Sequence, residues 1–346
     1  MPEPSYEGGM TMISLMYRDA GIFKRKGIHY FNTSFNHKNT ISRFFESIIL
    51  KWKFWQMLIK ASVRDVYILS SSYTGFYDKI LYVIIAKLLF KKTYLNLVGG
   101  AFFKFTNSGT FNRLMVPKLL KLPNAIVVGS ELWKNKFKDL YGCENTRVIY
   151  NPVRIPDRFK NYNYSKNISA RIEIVFLGAL NEGKGVLDLI KIIQAFSAEE
   201  SLIFTIIGKG EMESQISGDL EKEIALGRVK LEGFISEEEK HEILERAHVF
   251  ILPSYFEVLP ISILEAMYTG MLILSTKVGA IPEIIEENKN GFLYEPGQYN
   301  LMISGIQSLI QNPEMIEEIG RNNISKSKNF DVETIFEVQM NMMKNH

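Results

Sequence analysis

The chain has 346 residues, of which 46% are apolar and 23% are charged, with a formal net charge of +3. This length exceeds the usual size of one compact core, so we expect two domains of an ordinary globular protein. The single cysteine, Cys143, excludes an intramolecular disulfide and a cysteine metal cluster, which fits a reducing cytoplasm.

Charge is distributed unevenly along the chain. Residues 1–150 contain 22 Lys plus Arg against 9 Asp plus Glu, whereas the remaining residues contain 19 against 29. Basic residues of the first part alternate with aromatic ones, as in residues 51–55. Such a surface can lie on anionic lipid headgroups, can bind single-stranded nucleic acid, or can be an ordinary lysine-rich surface. We expect an anionic membrane surface as a partner and no nucleic acid.

The first element is a glycine turn at residues 4–9, which includes Gly8 and Gly9 and which alone indicates only a turn. Farther along, the apolar run at residues 80–90 is too short to span a bilayer and contains Lys87, so it predicts a buried helix. The N-terminus lacks a basic region followed by an apolar one, which argues against a signal peptide. We expect a cytoplasmic protein, peripheral on the inner face of the cell membrane.

Strand and helix patterns alternate, most regularly in the second half. Apolar runs predict strands at residues 92–98, 125–129, 172–178, 202–208 and 229–233, and helices at 186–196 and 211–225. A capping box at residues 236–239 predicts the start of another helix. This rhythm is typical of an α/β fold with doubly wound parallel sheets.

The polar segment after residue 153 predicts the boundary between two domains. We expect an N-terminal Rossmann-like domain at residues 1–153 and a C-terminal Rossmann-like domain at 154–328. Residues 329–346 are expected to form a helix that packs back toward the N-terminal domain.

Two carboxylates follow the apolar strand predicted at residues 249–253. Glu257 falls in the loop after the strand, and Pro260 suits the first turn of the helix that contains Glu265. In an open parallel sheet, ligands bind outside the carboxyl ends of the strands. The two carboxylates could therefore accept hydrogen bonds from sugar hydroxyls, although exposed surface acids at this spacing are common.

Two further loops follow predicted strands. Residues 178–185 form a glycine-rich turn, where backbone amides could meet phosphate oxygens and Lys184 could supply a cation. Gly208, Lys209 and Phe234 stand at strand ends on the same side.

Residues 257–296 carry a longer pattern. Glu257 and Glu265-Ala266 are followed by Gly270, an apolar strand, the Gly-x-x-Pro-Glu sequence at 279–283 and Asn290-Gly291. This pattern resembles the retaining family-4 glycosyltransferases of GT-B architecture. The resemblance is strong from about residue 148 to 296 and weak before residue 124.

The resemblance implies two Rossmann-like domains that face a cleft, and a nucleotide-sugar donor, most simply a UDP-sugar. It places the donor hexose hydroxyls at Glu257, the ribose hydroxyls at Glu265 and the diphosphate at Lys184. The further donor-binding residues that it implies are Gly8, Gly9, Gly208, Lys209, Phe234, Leu259 and Pro260. The nucleotide-sugar is a substrate, so no cofactor is expected.

The chain departs from the family pattern at three places. Ala179 stands where the family carries an arginine, Val98 stands where many members carry a histidine, and little sequence precedes the first glycine turn. An Asp-x-Asp triplet, which holds a divalent ion in glycosyltransferases of another architecture, does not occur in the sequence. We therefore expect metal-independent transfer.

The sequence predicts a hexosyltransferase that acts on a glycan or lipid-linked glycan in bacterial surface polysaccharide synthesis. Two alternatives stay open. The three departures favour a non-catalytic GT-B partner protein, and Gly208-Lys-Gly210 resembles the start of the dinucleotide loop of an NAD-dependent oxidoreductase.

Overall fold

A computed structural model describes residues 9–33, 40–98, 102–164, 166, 168 and 171–345. The chain divides into two compact units. Unit 1 comprises Met1–Tyr150 together with Phe336–His346, and unit 2 comprises Asn151–Ile335. The division falls close to the boundary expected from the sequence, and the last residues of the chain return to unit 1.

Unit 1 contains a parallel sheet of four strands in the order β1-β2-β3-β4. The strands are β1 (Asp65–Ser70), β2 (Lys92–Leu97), β3 (Ala125–Val128) and β4 (Thr146–Val148). Every residue of β3 is buried, as expected for a parallel strand covered on both faces, whereas β1 is buried only at alternate positions. β1 lies at one edge of the sheet.

The helices of unit 1 bury aromatic side chains. They are α1 (Gly9–Asp19), α2 (Thr40–Lys60), α3 (Thr74–Leu88), α4 (Phe102–Thr106), α5 (Thr110–Leu119) and α6 (Glu131–Tyr141). The rings of Phe76, Phe102 and Phe137 pack in contact, with centroids 5.3–5.5 Å apart. At the end of the chain, the Tyr94 hydroxyl donates to the Met343 carbonyl at 3.3 Å.

Unit 2 contains a parallel sheet of six strands in the order β10-β9-β8-β5-β6-β7. The strands are β5 (Ile172–Leu177), β6 (Leu202–Ile207), β7 (Val229–Gly233), β8 (Val249–Leu252), β9 (Leu272–Thr276) and β10 (Gly291–Tyr294). From β5 the chain builds the sheet outward to β7, and then returns to the other side of β5 with β8. The direction of winding therefore reverses between β5 and β8, where ligands bind in open α/β sheets.

The helices of unit 2 cover both faces of this sheet. They are α7 (Asp157–Lys160), α8 (Val186–Ala195), α9 (Glu213–Asp219), α10 (Glu221–Ala225), α11 (Glu237–Arg246), α12 (Ile261–Tyr268), α13 (Ile281–Ile284), α14 (Tyr299–Gln311) and α15 (Glu314–Ser327), and α16 (Val332–Lys344) crosses into unit 1. The capping box predicted at Ser236 and Glu239 is present at the start of α11.

Two helix predictions need correction. The single helix expected at residues 211–225 is divided into α9 and α10 at Leu220, directly after the poor helix formers Gly218 and Asp219. The run at residues 80–90 does lie largely in α3, but only one face of it is buried, since Leu81 and Leu88 are exposed. Among the described residues, no helix combines the length and apolar character that a membrane span requires.

Candidate functional site

The loops that follow β5 and β8 are locked to each other at the point where the winding reverses. The Tyr255 amide donates to the Gly183 carbonyl at 2.9 Å, and the Tyr255 hydroxyl donates to Asp188 at 2.8 Å. Gly185 has a φ of 72°, and a Cβ atom there would lie 1.9 Å from the carbonyl oxygen of Pro253. Because only glycine permits both this conformation and this approach, Gly185 fixes the distance between the loops.

Glu257 and Lys184, which the sequence singles out in separate loops, form an ion pair in the structure. The Lys184 Nζ lies 2.5 Å from the Glu257 Oε1, and the Ser254 hydroxyl donates to the same oxygen at 3.0 Å. The Glu257 residue is only 9% exposed, so this carboxylate is desolvated and its charge is compensated by Lys184. The alternative interpretation, that Glu257 is an exposed surface acid, is thereby excluded.

A third loop, after β9, holds the backbone of the Glu257 loop. The Ala280 amide donates to the Val258 carbonyl at 2.6 Å. Gly279 has a φ of 57°, and a Cβ atom there would lie 2.3 Å from the Glu257 carbonyl oxygen. The sequence analysis recognised the Gly-x-x-Pro-Glu segment but gave it no role in the site. Gly279 could have indicated that role, because a glycine at such a position often marks a close approach of two backbones.

Glu265 lies in α12 and forms a second buried ion pair. The Lys240 Nζ, from α11, lies 2.7 Å from the Glu265 Oε1 and also contacts Glu237. Burial alone would lower the pKa of the Lys240 ammonium, but Glu265 and Glu237 outweigh burial and hold that pKa well above its usual range. Lys240 was missed by sequence reasoning. Its spacing from the buried residues Ile243 and Leu244 places it on the apolar face of α11, and this was the usable signal.

The loop after β6 packs on the loop after β5. A Cβ atom at Gly208 would lie 1.9 Å from the Gly178 carbonyl oxygen, and the Leu180 amide donates to the Lys209 carbonyl at 2.9 Å. At the end of β7, the Gly233 carbonyl accepts from the Gly208 amide. Phe234, the next residue, is 57% exposed. Gly208 and Lys209 thus lie at the carboxyl ends of the strands, as Lys184 does. Position 208 requires glycine because a side chain there would overlap the backbone of Gly178.

The other predicted residues fall in three different settings. Leu259 is buried, and its carbonyl accepts from the Asn151 side chain at 3.0 Å. Pro260 directly precedes α12 as its N-cap and does not lie in its first turn, which corrects the prediction by one position. Gly8 lies outside the described residues, and Gly9 is the first residue of α1.

The structure also shows where two of the departures from the family pattern lie. Ala179 is exposed in the loop after β5, and Val98 is buried directly after β2, where its amide donates to the Ser70 carbonyl. Within the part of the chain that the structure describes, no group of three or more His, Cys, Asp or Glu side chains is placed to hold a metal ion. Metal independence remains a prediction.

Part of the chain is similar in sequence to known glycosyltransferases. Residues 159–326, slightly less than half of the chain, match the family model of glycosyl transferases group 1. The chain is 29% identical over 208 residues to the amylovoran biosynthesis glycosyltransferase AmsK of Erwinia amylovora, which covers 56% of this chain and 49% of the relative. It is 26% identical over 171 residues to the putative colanic acid biosynthesis glycosyltransferase WcaL of Salmonella typhimurium, covering 47% and 42%. The chain spans about half the length of these curated relatives.

Solved structures are similar over most of the chain. HepE of Anabaena, in complex with UDP, superposes with a TM-score of 0.69 at 20% identity, covering 86% of this chain and 82% of HepE. Sucrose-phosphate synthase of Thermosynechococcus elongatus superposes with a TM-score of 0.66 at 16% identity, covering 89% and 80%. The fold is GT-B, with two parallel-sheet α/β units, and this prediction from the sequence is confirmed.

Proposed function

We propose that this chain is a glycosyltransferase that moves a hexose, with retention, from a UDP-sugar to a glycan or lipid-linked glycan acceptor. The observation that carries the proposal is the Lys184–Glu257 pair, held by Ser254 where the winding of the unit 2 sheet reverses. The match of residues 159–326 to glycosyl transferases group 1 supports it, as do the complexes of HepE with UDP and with UDP-glucose.

In this proposal, Glu257 accepts hydrogen bonds from the donor hexose and Lys184 faces the diphosphate. Both roles are compatible with their mutual contact, because an ammonium group has three donors and a carboxylate accepts at two oxygens. As the sugar leaves, negative charge develops on the diphosphate, and Lys184 with the nearby backbone amides stabilises it. The leaving diphosphate itself helps to remove the acceptor proton in front-face attack. Ala179 supplies no charge, so Lys184 carries the cationic role in its own loop.

Glu265 is assigned to the ribose hydroxyls of the nucleotide. Its ion pair with Lys240 compensates the buried charge and fixes the position of the carboxylate in α12. Gly208, Lys209 and Phe234 then lie on the side of the base. Leu259 and Pro260 hold the backbone between the two carboxylates, and Gly8 and Gly9 are assigned to the diphosphate from the sequence pattern alone.

The names of two relatives and the surface of unit 1 support our proposal for the acceptor. The printed names of AmsK and WcaL concern amylovoran and colanic acid biosynthesis, which are polysaccharide pathways. We propose the corresponding acceptor class here: a glycan, free or lipid-linked, at the inner face of a bacterial membrane. A cytoplasmic location follows from this assignment.

One exposed face of α2 supports attachment to an anionic membrane. Its apolar residues recur at helical spacing and are 36–63% exposed: Phe45, Ile48, Trp52, Trp55, Ile59 and the adjoining Phe44 and Ile49. We call this set the α2 face. Lys53 and Lys60, both exposed, lie on the same helix. An amphipathic helix with exposed aromatic rings and basic residues is typical of interfacial membrane binding.

Calorimetric titration of the full chain with UDP, GDP and NAD separates this function from its alternatives. We expect UDP to bind most tightly, and transfer from a UDP-hexose to survive excess EDTA. Glu257→Gln, which retains an acceptor for Ser254, should bind UDP like the parent and lose transfer. Tight NAD binding would favour the oxidoreductase, and UDP binding without transfer or donor hydrolysis would favour the non-catalytic partner. Loss of transfer with EDTA and recovery with magnesium would contradict metal independence.

A further inference from the structure

Helix α3 of unit 1 ends at a strained residue. Phe90 follows the helix with a φ of 57°, and it is one of three non-glycine residues with positive φ in the described part of the chain. The Phe90 amide donates to the Lys87 carbonyl and the Lys91 amide donates to the Ala86 carbonyl, both at 3.0 Å. This is the Schellman arrangement, in which the left-handed position usually holds glycine because a Cβ atom there is strained.

The Phe90 side chain gains little from the rest of the protein in return for this strain. Phe90 is 97% exposed, and Leu88 beside it is 72% exposed. Helix α6 of the same unit ends at a glycine, Gly142, with a φ of 65°, which adopts the left-handed conformation without strain. A bulky ring that strains the backbone and stays outside the core stabilises the folded chain less than glycine would. Its function therefore lies in a contact with another molecule.

The edge of unit 1 that contains the end of α3 is basic. Strands β1, β2 and β3 are parallel, so the helix ends and loops that precede them, residues 60–64, 87–91 and 118–124, lie at the same edge of the sheet. These segments contain six basic residues and no acidic one. Arg64 pairs with Asp65, the first residue of β1, at 3.0 Å. The fully exposed lysines of this edge are Lys60, Lys87, Lys118 and Lys121. Such an edge attracts an anionic surface.

The same edge continues the α2 face. The Lys51 Nζ lies 2.6 Å from the Asp78 carboxylate, and the Phe54 ring lies 5.1 Å from the Tyr82 ring, so α2 and α3 run side by side in the same direction. Ile59, which is 54% exposed at the end of α2, therefore lies at the same end of unit 1 as the last turn of α3. The exposed apolar residues of the two helix ends, with lysines around them, form one continuous surface.

We propose that the Phe90 ring inserts into the interface of an anionic membrane, with Leu88 beside it, while Lys87 and Lys91 bind lipid phosphates. The proposal rests on the membrane attachment proposed above and adds the residue that enters the lipid. Insertion removes the ring from water, which offsets the backbone strain, and the long stems of the two lysines let their ammonium groups reach the phosphates. The partner is a bilayer and not a second copy of the chain, because the lysines of two apposed copies would repel each other.

Flotation of the full chain with vesicles of phosphatidylglycerol and phosphatidylcholine tests the role of Phe90. Phe90→Gly removes the ring and relieves the strain, so it should bind the vesicles about tenfold more weakly while the urea midpoint of unit 1 rises. Phe90→Ala should lose as much binding without the gain in stability. Phe90→Trp should bind at least as tightly as the parent, because indole rings favour the membrane interface. Phe111→Ala is the control, since Phe111 is 65% exposed on α5, and it should bind like the parent.

A polarity-sensitive fluorophore on Phe90→Cys reports insertion directly, because the native thiol of Cys143 is buried. Its emission should shift to the blue with anionic vesicles and should be quenched by lipids with brominated chains. The same fluorophore on Phe111→Cys should show neither effect.

Equal flotation of Phe90→Gly and the parent would overturn the role of Phe90 and leave attachment through the α2 face standing. Loss of self-association in Phe90→Gly, measured by sedimentation, would assign the ring to a second copy of the chain and overturn the proposal as well. If the parent does not float, membrane attachment and this proposal fail together. Transfer from a UDP-hexose, measured without vesicles, tests the glycosyltransferase function separately.

Discussion

The two sheets differ in how their strands are enclosed, and this difference separates two kinds of surface. In unit 2, β5 and β8 each have a strand on both sides, and the loops after them are fixed by backbone contacts with a tolerance below the size of a methyl group. In unit 1, β1 is an edge strand, and helix α2 exposes an apolar face. Substitutions should therefore affect stability and donor binding in unit 2, and association with other molecules in unit 1.

The largest effect is expected where the two site loops touch. Gly185→Ala places a Cβ atom 1.9 Å from the Pro253 carbonyl oxygen at a φ of 72°. Steric overlap and left-handed strain together should lower the free energy of unfolding of unit 2 by about 4 kcal/mol. Gly142 of unit 1 is the matched control, because its φ is 65° and nothing lies within 4 Å of the corresponding Cβ position.

Gly142→Ala should cost only the conformational strain, about 1 kcal/mol. Urea unfolding followed by hydrogen exchange, which reports on each unit separately, provides the measurement. Equal costs at the two positions would mean that the loops of unit 2 adjust to the added methyl group, and the contrast between the units would then be lost.

The next effect concerns the buried pair of α11 and α12. Lys240→Met leaves the Glu265 carboxylate buried without its cation, and should destabilise unit 2 by about 3 kcal/mol. The double variant Lys240→Met with Glu265→Leu removes both charges and should regain most of this loss. If the double variant is as unstable as the single one, packing and not charge accounts for the role of Lys240.

A smaller effect should distinguish the two carboxylates. Glu265→Gln keeps an oxygen for Lys240 but weakens the acceptor for ribose hydroxyls, so UDP affinity should fall by about 1–3 kcal/mol. Glu257→Gln should leave UDP affinity unchanged, because its assigned partner is the hexose. Calorimetry with UDP and with a UDP-hexose measures both variants. Unchanged UDP affinity in Glu265→Gln would show that the ribose assignment is wrong.

These contacts also show how far the sequence could predict the site. Strand β8 is a continuous apolar run and β9 begins with one, because central parallel strands are buried on both faces, and such runs can be recognised in the sequence. Glu257 lies in the loop after β8 and Lys184 in the loop after β5, so their location at the same edge of the sheet followed from topology. Their direct contact depends on the close approach of the two loops that Gly185 permits, which the sequence alone does not show.

Other features depended on packing between elements far apart in sequence. The contact of Lys240 with Glu265 requires α11 to lie beside α12, and neither helix alone indicates its neighbour. The sequence of β1 resembles that of any other strand, so it does not show that β1 lies at the edge of its sheet. Alternation along a strand predicts which face is buried, whereas strand order is set by the whole chain.

The smallest effect is expected for membrane attachment through the α2 face. The sequence suggested Lys51 as a membrane contact, but its Nζ lies 2.6 Å from the Asp78 carboxylate and is only partly exposed, so Lys53 and Lys60 are the better choices. At about 1 kcal/mol per basic residue near an anionic surface, Lys53→Glu with Lys60→Glu should markedly reduce flotation with anionic liposomes and leave stability unchanged.

Lys134→Glu with Lys138→Glu is the control, since it makes the same charge change on α6, a different helix of unit 1. This control should float like the parent, and neither protein should float with neutral liposomes. Because the attraction is screened, binding should fade as salt is raised toward the concentration where the Debye length is about 3 Å. Equal losses in the two double variants would make net charge the cause, and the α2 face would then be an ordinary surface.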